Sequence, residues 1–292
     1  MQEFRYKNST KWLKGNTHIH STRSDGGKTV AELARMYADA GYDFLCHTDH
    51  WVCSDAANDD ADYPLLFLDG VEIHGIDTAG SDFHIVCLGR FDGIDQEMGL
   101  ERALESIHAQ NGFIILAHPY WMGNSEADAI RHPFHAVEKY NHVCQWLNGK
   151  AESGAYWEMM LERNPGMLAL AVDDAHIRPE HPGWNGGWIC VAAEACTREA
   201  IMDAIWKGRY YSSTGPEIHT LELTGQRLHA TCSSVQFARL VGPGTLGRRL
   251  GGFDTEPLTE FDFEVPQDWP YVYLEIENAD GTRAWTNNLF VS

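Results

Sequence analysis

From residue 12 to about residue 214, short apolar runs alternate with stretches of helical period. Apolar runs bounded by turn residues read as buried strands, and apolar positions three and four apart read as helices. Strands are predicted at 12–18, 43–47, 65–73, 84–89, 113–117, 136–140, 167–172 and 187–192. Helices are predicted at 29–40, 96–110, 149–163 and 197–207. The first helix shows the period plainly: Val30, Leu33, Ala34 and Tyr37 share one face, and Gly41 stops it. The last has Thr197 as its N-cap and Gly208 as its stop. Repeated strand–helix alternation points to an α/β domain with a parallel sheet or (β/α) barrel.

The texture changes after about Gly215. Strands are predicted at 218–224, 226–231, 236–241, 261–265, 271–277 and 283–291, with Asp280-Gly281 as a hairpin turn and no helix. The chain therefore divides into an α/β domain, 1–214, and a small antiparallel β subdomain, 215–292. The glycine-rich stretch 241–252 reads as a mobile loop, because it lacks the strand–glycine–helix context of a phosphate-binding loop.

Composition narrows the partners. Acidic residues number 42 against 22 basic ones in 292, a formal net charge of −20, which argues against a nucleic-acid backbone as partner. No apolar run is long enough to span a membrane, and the first sixteen residues have no apolar core of the kind a secretory leader needs. The seven cysteines are widely spaced with no Cys-x-x-Cys, which fits reduced thiols and a cytoplasmic location. A small-molecule substrate is expected; the sequence is silent on oligomeric state.

The fifteen histidines carry the chemistry. His18-Ile19-His20 places two imidazoles two apart, on one face of an extended chain. His50, Glu72, His118 and the Asp174/His176 pair fall at or just after the C-terminal ends of predicted strands, the active-site face of α/β barrels. Asp25 follows in an Asp-Gly turn, and His84 opens its strand. Glu72 inside an apolar run would be a costly unpaired charge unless a cation neutralises it. Imidazoles with carboxylates suit zinc, manganese or iron, and the donors outnumber what one ion can use. Asp49 reads as a partner orienting a ligand histidine and His47 as structural. Asp174 is preferred to Asp173 for its spacing to His176. Glu138 and Asn141 read either as lining the site or as stabilising their own element. Arg23, Arg178 and Lys139 are the nearest basic residues, and Trp51, Trp121 and Trp184 are possible pocket walls. His74, His132, His135, His142 and His181 read as surface or loop residues.

The ordered set resembles the PHP family, the polymerase-and-histidinol-phosphatase metallohydrolases, over about residues 14–178. The carrying motifs are His18-Ile19-His20 with Ser24-Asp25-Gly26, Thr48-Asp49-His50, Gly70-Val71-Glu72, and Asp174-Ala175-His176, with His84 and Ala117-His118-Pro119 between. The segments at 207–216 and 281–287 resemble a branch with a β appendage that includes carbamate-ester hydrolases of the carbaryl-hydrolase type. The resemblance implies a distorted (β/α)7 barrel and two or three divalent ions. It assigns His18, His20, Glu72 and Asp174 to one ion, Glu72, His84 and His118 to a second, and Asp25, His50 and His176 to a third. Glu72, His20 and Asp174 are the implied catalytic residues. The implied activity is a phosphoesterase that hydrolyses a small phosphorylated metabolite through a metal-bridging hydroxide. The alternatives are a carbamate, ester or amide hydrolase on the same site, or a non-catalytic metal-binding interaction module.

Overall fold

A computed structural model describes residues 3–7, 11–56 and 62–291. The chain forms two compact units: one of residues 14–157 and 169–188, the other of residues 1–13, 158–168 and 189–292. Where the sequence texture changes once, at 214/215, the units interleave along the chain. The amino terminus contributes to the second unit because Glu3–Phe4 pairs antiparallel with Phe290–Val291.

In the first unit, strands Leu13–Asn16, Phe44–Cys46 and Leu66–Leu68 form a parallel ladder. Helix Val30–Asp39 starts from Thr29, whose side chain and that of Glu32 form a capping box. Its apolar face, Val30, Leu33, Ala34 and Tyr37, packs with Ile19, Leu45, Phe67 and Ala175 in one buried cluster. A second sheet runs Gly70–Ile76, Asp82–Leu88, Phe113–Leu116, Ala136–Asn141, Leu168–Val172. Its first three strands are antiparallel, and the third and fourth parallel.

The expected (β/α)7 barrel is corrected here: the described strands form no closed barrel. The strand expected over 65–73 breaks at Asp69, and its halves serve different sheets. Gly70 is required at the crossing, since a Cβ there would lie 2.8 Å from the His47 carbonyl oxygen and 2.9 Å from that of Cys87. The next connection is a hairpin, not a helix. Asp77 Oδ1 accepts from the backbone N–H groups of Ala79 and Ser81, tightening a turn that sends Asp82–Leu88 back alongside Gly70–Ile76. The two sheets meet at isolated parallel bridges, His50↔Glu72 and Ile19↔Ala175.

The helix expected over 149–163 forms only over Gly154–Arg163, and a helix not expected from the sequence, His142–Asn148, precedes it. Asn141 caps this earlier helix by accepting from Cys144 N at 3.0 Å, and Gly149 ends it in the left-handed conformation, φ 75°.

The second unit is mostly antiparallel strand, with helix Arg198–Trp206. The stretch 241–252 is not a mobile loop: Gly247–Gly251 pairs in register with Phe237–Val241. Among the described residues no helix is long and apolar enough to cross a membrane, and none of the seven cysteines is in a disulfide.

Candidate metal centre

The two bridges that join the sheets also build the site. Ile19 bridges Ala175, so His18, His20 and Asp174 flank one seam; His50 bridges Glu72 at the other. In strand Gly70–Ile76, Glu72 and His74 alternate onto one face, and His84 pairs directly opposite His74.

The centre of the cluster is four atoms. His18 Nε2 lies 3.1 Å from Glu72 Oε2 and 3.3 Å from Asp174 Oδ1. His20 Nε2 lies 3.2 Å and 3.0 Å from the same two oxygens, and the two Nε2 atoms are 3.1 Å apart. All four residues are buried, Glu72 at 1% exposure. On the far side of the His18 ring, Nδ1 donates to Glu138 Oε1 at 2.7 Å. Once that nitrogen keeps its hydrogen, the Nε2 of a neutral ring has only a lone pair to offer. Lone pairs converging from two imidazoles and two carboxylates repel unless a cation or protons sit between them. The donor set therefore fits a divalent transition metal.

Two further groups surround it. Asp25, His50 and His176 gather with His20, and His50 and His84 gather with Glu72, each group with donor atoms within 4.8 Å of one another. His20 Nδ1 is buried without a hydrogen-bond partner and lies 3.7 Å from Asp25 Oδ1. His118 Nε2 lies 3.7 Å from both Glu72 Oε1 and Asp174 Oδ2, outside the tightest groups. His50 Nδ1 is 3.2 Å from Glu72 Oε2, so this residue stands between two groups where the resemblance gave it to one.

Several neighbours have jobs the sequence did not reveal. Asp49 orients no histidine: it accepts from Ser21 N, Ser21 Oγ and Ser24 Oγ, each at 2.7 Å, and so shapes the loop that carries Asp25. Gly26 closes that loop because a Cβ would stand 2.2 Å from the His20 carbonyl oxygen. Asp173 is occupied by Tyr37 Oη at 2.7 Å and by the N–H groups of Asn185, Gly186 and Gly187. Asp174 is left to face the cluster. His47 stacks on Phe67 at 4.1 Å, a packing role. His74 and His181, read from sequence as surface or loop, are at the site: His74 Nδ1 lies 3.2 Å from His50 Nδ1, and His181 lines the cavity. Trp121 and Arg178 also line it, whereas Trp184 packs on Tyr37 and Lys139 lies over the Trp157 ring. Trp51, His118, Asp174 and Ile177 all have positive φ, from 30° to 55°. Such non-glycine residues cost about 1–3 kcal/mol each and cluster where function imposes them.

The electrostatics follow from this crowding. Burial would raise the Glu72 and Asp174 carboxyls, but His18, together with His50 for Glu72 and His20 for Asp174, holds both well below the usual range. Burial would lower the two imidazoles, yet Asp174 and Glu72 outweigh it: His18 is raised well above its ordinary value and His20 to about 9. His50, more desolvated than compensated, falls to about 4. In the metal-free protein these directions favour protonated imidazoles between the two carboxylates. The raised imidazoles stabilise the fold fully below about pH 6.5, and that contribution is lost as pH rises through their folded values, about 9 for His20. The depressed carboxylates contribute above about pH 4.5 and are lost in acid. The thermal midpoint of metal-free protein is expected to peak between those limits and fall toward pH 9. Zinc added at pH 7 is expected to release protons. Calorimetry and an indicator-dye titration check both; absence of proton release at pH 7 would remove the protonated-pair assignment.

The fold is similar to that of a solved two-domain protein with a PHP-like domain. A two-domain protein from Bacteroides vulgatus, containing a predicted PHP-like metal-dependent phosphoesterase, superposes with a TM-score of 0.56 at 16% identity, over 99% of this chain and 98% of that one. A candidate metal-dependent phosphoesterase from Bifidobacterium adolescentis covers 66% of this chain and 96% of its own, at 12% identity and TM-score 0.44. An amidohydrolase from Chromobacterium violaceum, with bound sulfate and no metal, covers 67% and 96% at 17% identity and TM-score 0.42. No family model and no curated protein matches the chain.

Proposed function

We propose that this protein is a metal-dependent phosphoesterase acting on a small phosphate ester, with two or three divalent ions of zinc, manganese or iron. The observation that carries this reading is the convergence of His18 Nε2 and His20 Nε2 on each other, on Glu72 Oε2 and on Asp174 Oδ1 at 3.0–3.3 Å. These four would hold the first ion, Glu72 with His84, His50 and His118 a second, and Asp25, His50 and His176 a third. Bound there, the ions would supply an acidified water and neutralise charge on the reacting phosphoryl group.

The chain's own groups do the rest. Glu138 keeps the hydrogen on His18 Nδ1 and so aims Nε2 inward. Asn141 donates to Glu138 Oε2 and Asp174 Oδ2, fixing two carboxylates with one amide. Arg178 at the cavity rim would take a phosphoryl oxygen. Glu72, His20 and Asp174 are the residues on which turnover depends most. The phosphoryl choice over a carbamate, ester or amide draws support from that rim arginine and from the description of the Bacteroides vulgatus protein. In this reading residues 1–214 carry the chemistry, 215–292 are an accessory β subdomain, and the protein works in a reducing, cytoplasmic compartment.

Metal analysis of the purified protein, paired with a screen of phosphomonoesters, phosphodiesters and aryl carbamates across pH, tests it. The expected result is two or three ions per chain and phosphoester turnover that chelation abolishes. Turnover of carbamates alone would replace the phosphoesterase reading, and metal binding without any hydrolysis would leave an interaction module.

A further inference from the structure

The cavity over the cluster, about 190 Å³, has two unlike sides. Its floor is the histidines and carboxylates. Its wall is Trp121, Val143, Cys144 and Leu147, with Arg178 and His181 at the rim. Val143 and Cys144 lie four and three residues before Leu147 on helix His142–Asn148, so they share its face. Asn141, which caps that helix, also donates to Asp174 Oδ2 at 3.2 Å, so the apolar wall and the acidic floor are held by one residue. The Trp121 ring stands 5.3 Å from the ring of His118, directly beside the candidate ligands.

The kinds of side chain lining the cavity decide what can fill it. Among the described residues lining it there is no serine, threonine, asparagine, glutamine or tyrosine, and Arg178 is the only arginine or lysine. Arg178 Nε is buried without a hydrogen-bond partner and lies 3.5 Å from Glu180 Oε1, and Arg178 Nη2 lies 3.9 Å from Asp25 Oδ2. A site that reads hydroxyl groups needs neutral donors and acceptors placed to meet them, and rejects ligands that leave those unpaired. This wall offers only the Trp121 indole N–H and the Cys144 thiol, too few to meet the several hydroxyl groups of a sugar or polyol. It offers instead apolar surface that a compact hydrocarbon group would cover.

We propose that the cavity selects esters of compact apolar alcohols, a single ring or a branched alkyl group seated on Trp121, Val143 and Leu147, and discriminates against sugar and polyol esters. This rests on the phosphoesterase reading for its anionic head, which the floor and Arg178 would hold; the leaving group is set by the wall alone.

The test separates the two claims. Metal-reconstituted protein is titrated with benzylphosphonate and with 2-hydroxyethylphosphonate by calorimetry, and the hydrolysis of phenyl phosphate and glycerol phosphate is measured alongside. Benzylphosphonate is expected to bind about tenfold more tightly or better, the order that burying one ring's apolar area gives. Leu147→Ser and Trp121→Ala are each expected to bring the ratio toward one while leaving inhibition by inorganic phosphate unchanged. Leu147 is 37% exposed, so its replacement leaves the fold intact. Equal affinities, a ratio both variants preserve, or binding of neither phosphonate would overturn the selectivity. Faster hydrolysis of glycerol phosphate than of phenyl phosphate would also overturn it and leave the phosphoesterase reading standing. Preferential benzylphosphonate binding with no phosphoester hydrolysis would sink that reading and support the apolar wall.

Discussion

Glu72→Gln is expected to fold, to lose at least one bound ion per chain, and to lower phosphoester turnover by about a thousandfold. Glutamine keeps the shape of the side chain and one oxygen, but removes the charge that faces His18, His20, His50 and His84 at 2.8–3.2 Å. Among the described residues no other carboxylate is paired with all four. With the charge gone, cations at two candidate positions lose a shared anionic ligand, and charge stabilisation of this kind is commonly worth about 10²–10³ in rate for a single donor. The measurement is metal content by mass spectrometry alongside kcat. Wild-type stoichiometry and turnover in a folded Glu72→Gln protein would refute the cluster assignment. Glu72→Ala should go further, leaving buried imidazoles facing a void.

Glu138→Gln is expected to weaken metal binding by about 10–100-fold, the usual range for a group that orients a ligand histidine. Glu138 touches no candidate ion position; its role is to accept from His18 Nδ1 at 2.7 Å and from the His118 backbone N–H at 3.0 Å. A glutamine amide can present its NH₂ group to Nδ1 and favour the other tautomer, placing a hydrogen on Nε2 where the ion would sit. The discriminating readout is metal affinity, with the pH dependence of loading beside it. Glu138→Asp, which restores an acceptor, should recover part of it. A residue that merely stabilised strand Ala136–Asn141 would lower the thermal midpoint and leave affinity unchanged.

Much of the site was legible because its signals are local. His18 and His20 flank Ile19 in extended chain, so their convergence follows from the two-residue period alone. Glu72 announced itself as a charge in an apolar run. Helix Val30–Asp39 follows from four apolar residues at helical spacing and a Thr-x-x-Glu start. The hairpin between Ile76 and Asp82 escaped, because an Asx-type turn within Asp77–Ser81 and a loop before a helix look alike in composition. That single turn changes the sheet from parallel to antiparallel and prevents the simple barrel the alternation implied. The double placement of His50 escaped as well: it lies 3.2 Å from Glu72 while also gathering with Asp25 and His176, and only folding reports that.

By itself, then, the sequence determined the inventory: which imidazoles and carboxylates exist, and which of them sit at strand ends. Tertiary structure alone decided the pairings. Glu138 stands behind His18 across 120 residues, Asp173 is taken up by Tyr37 and a loop so that Asp174 can turn inward, and His142–Asn148 lays an apolar face beside the acids. The reason is physical. Ligand type and local period are fixed within a few bonds, whereas distances of about 3 Å between atoms far apart in the chain depend on where two sheets cross, and that is set by a glycine at residue 70, a turn at residue 77 and the packing around them.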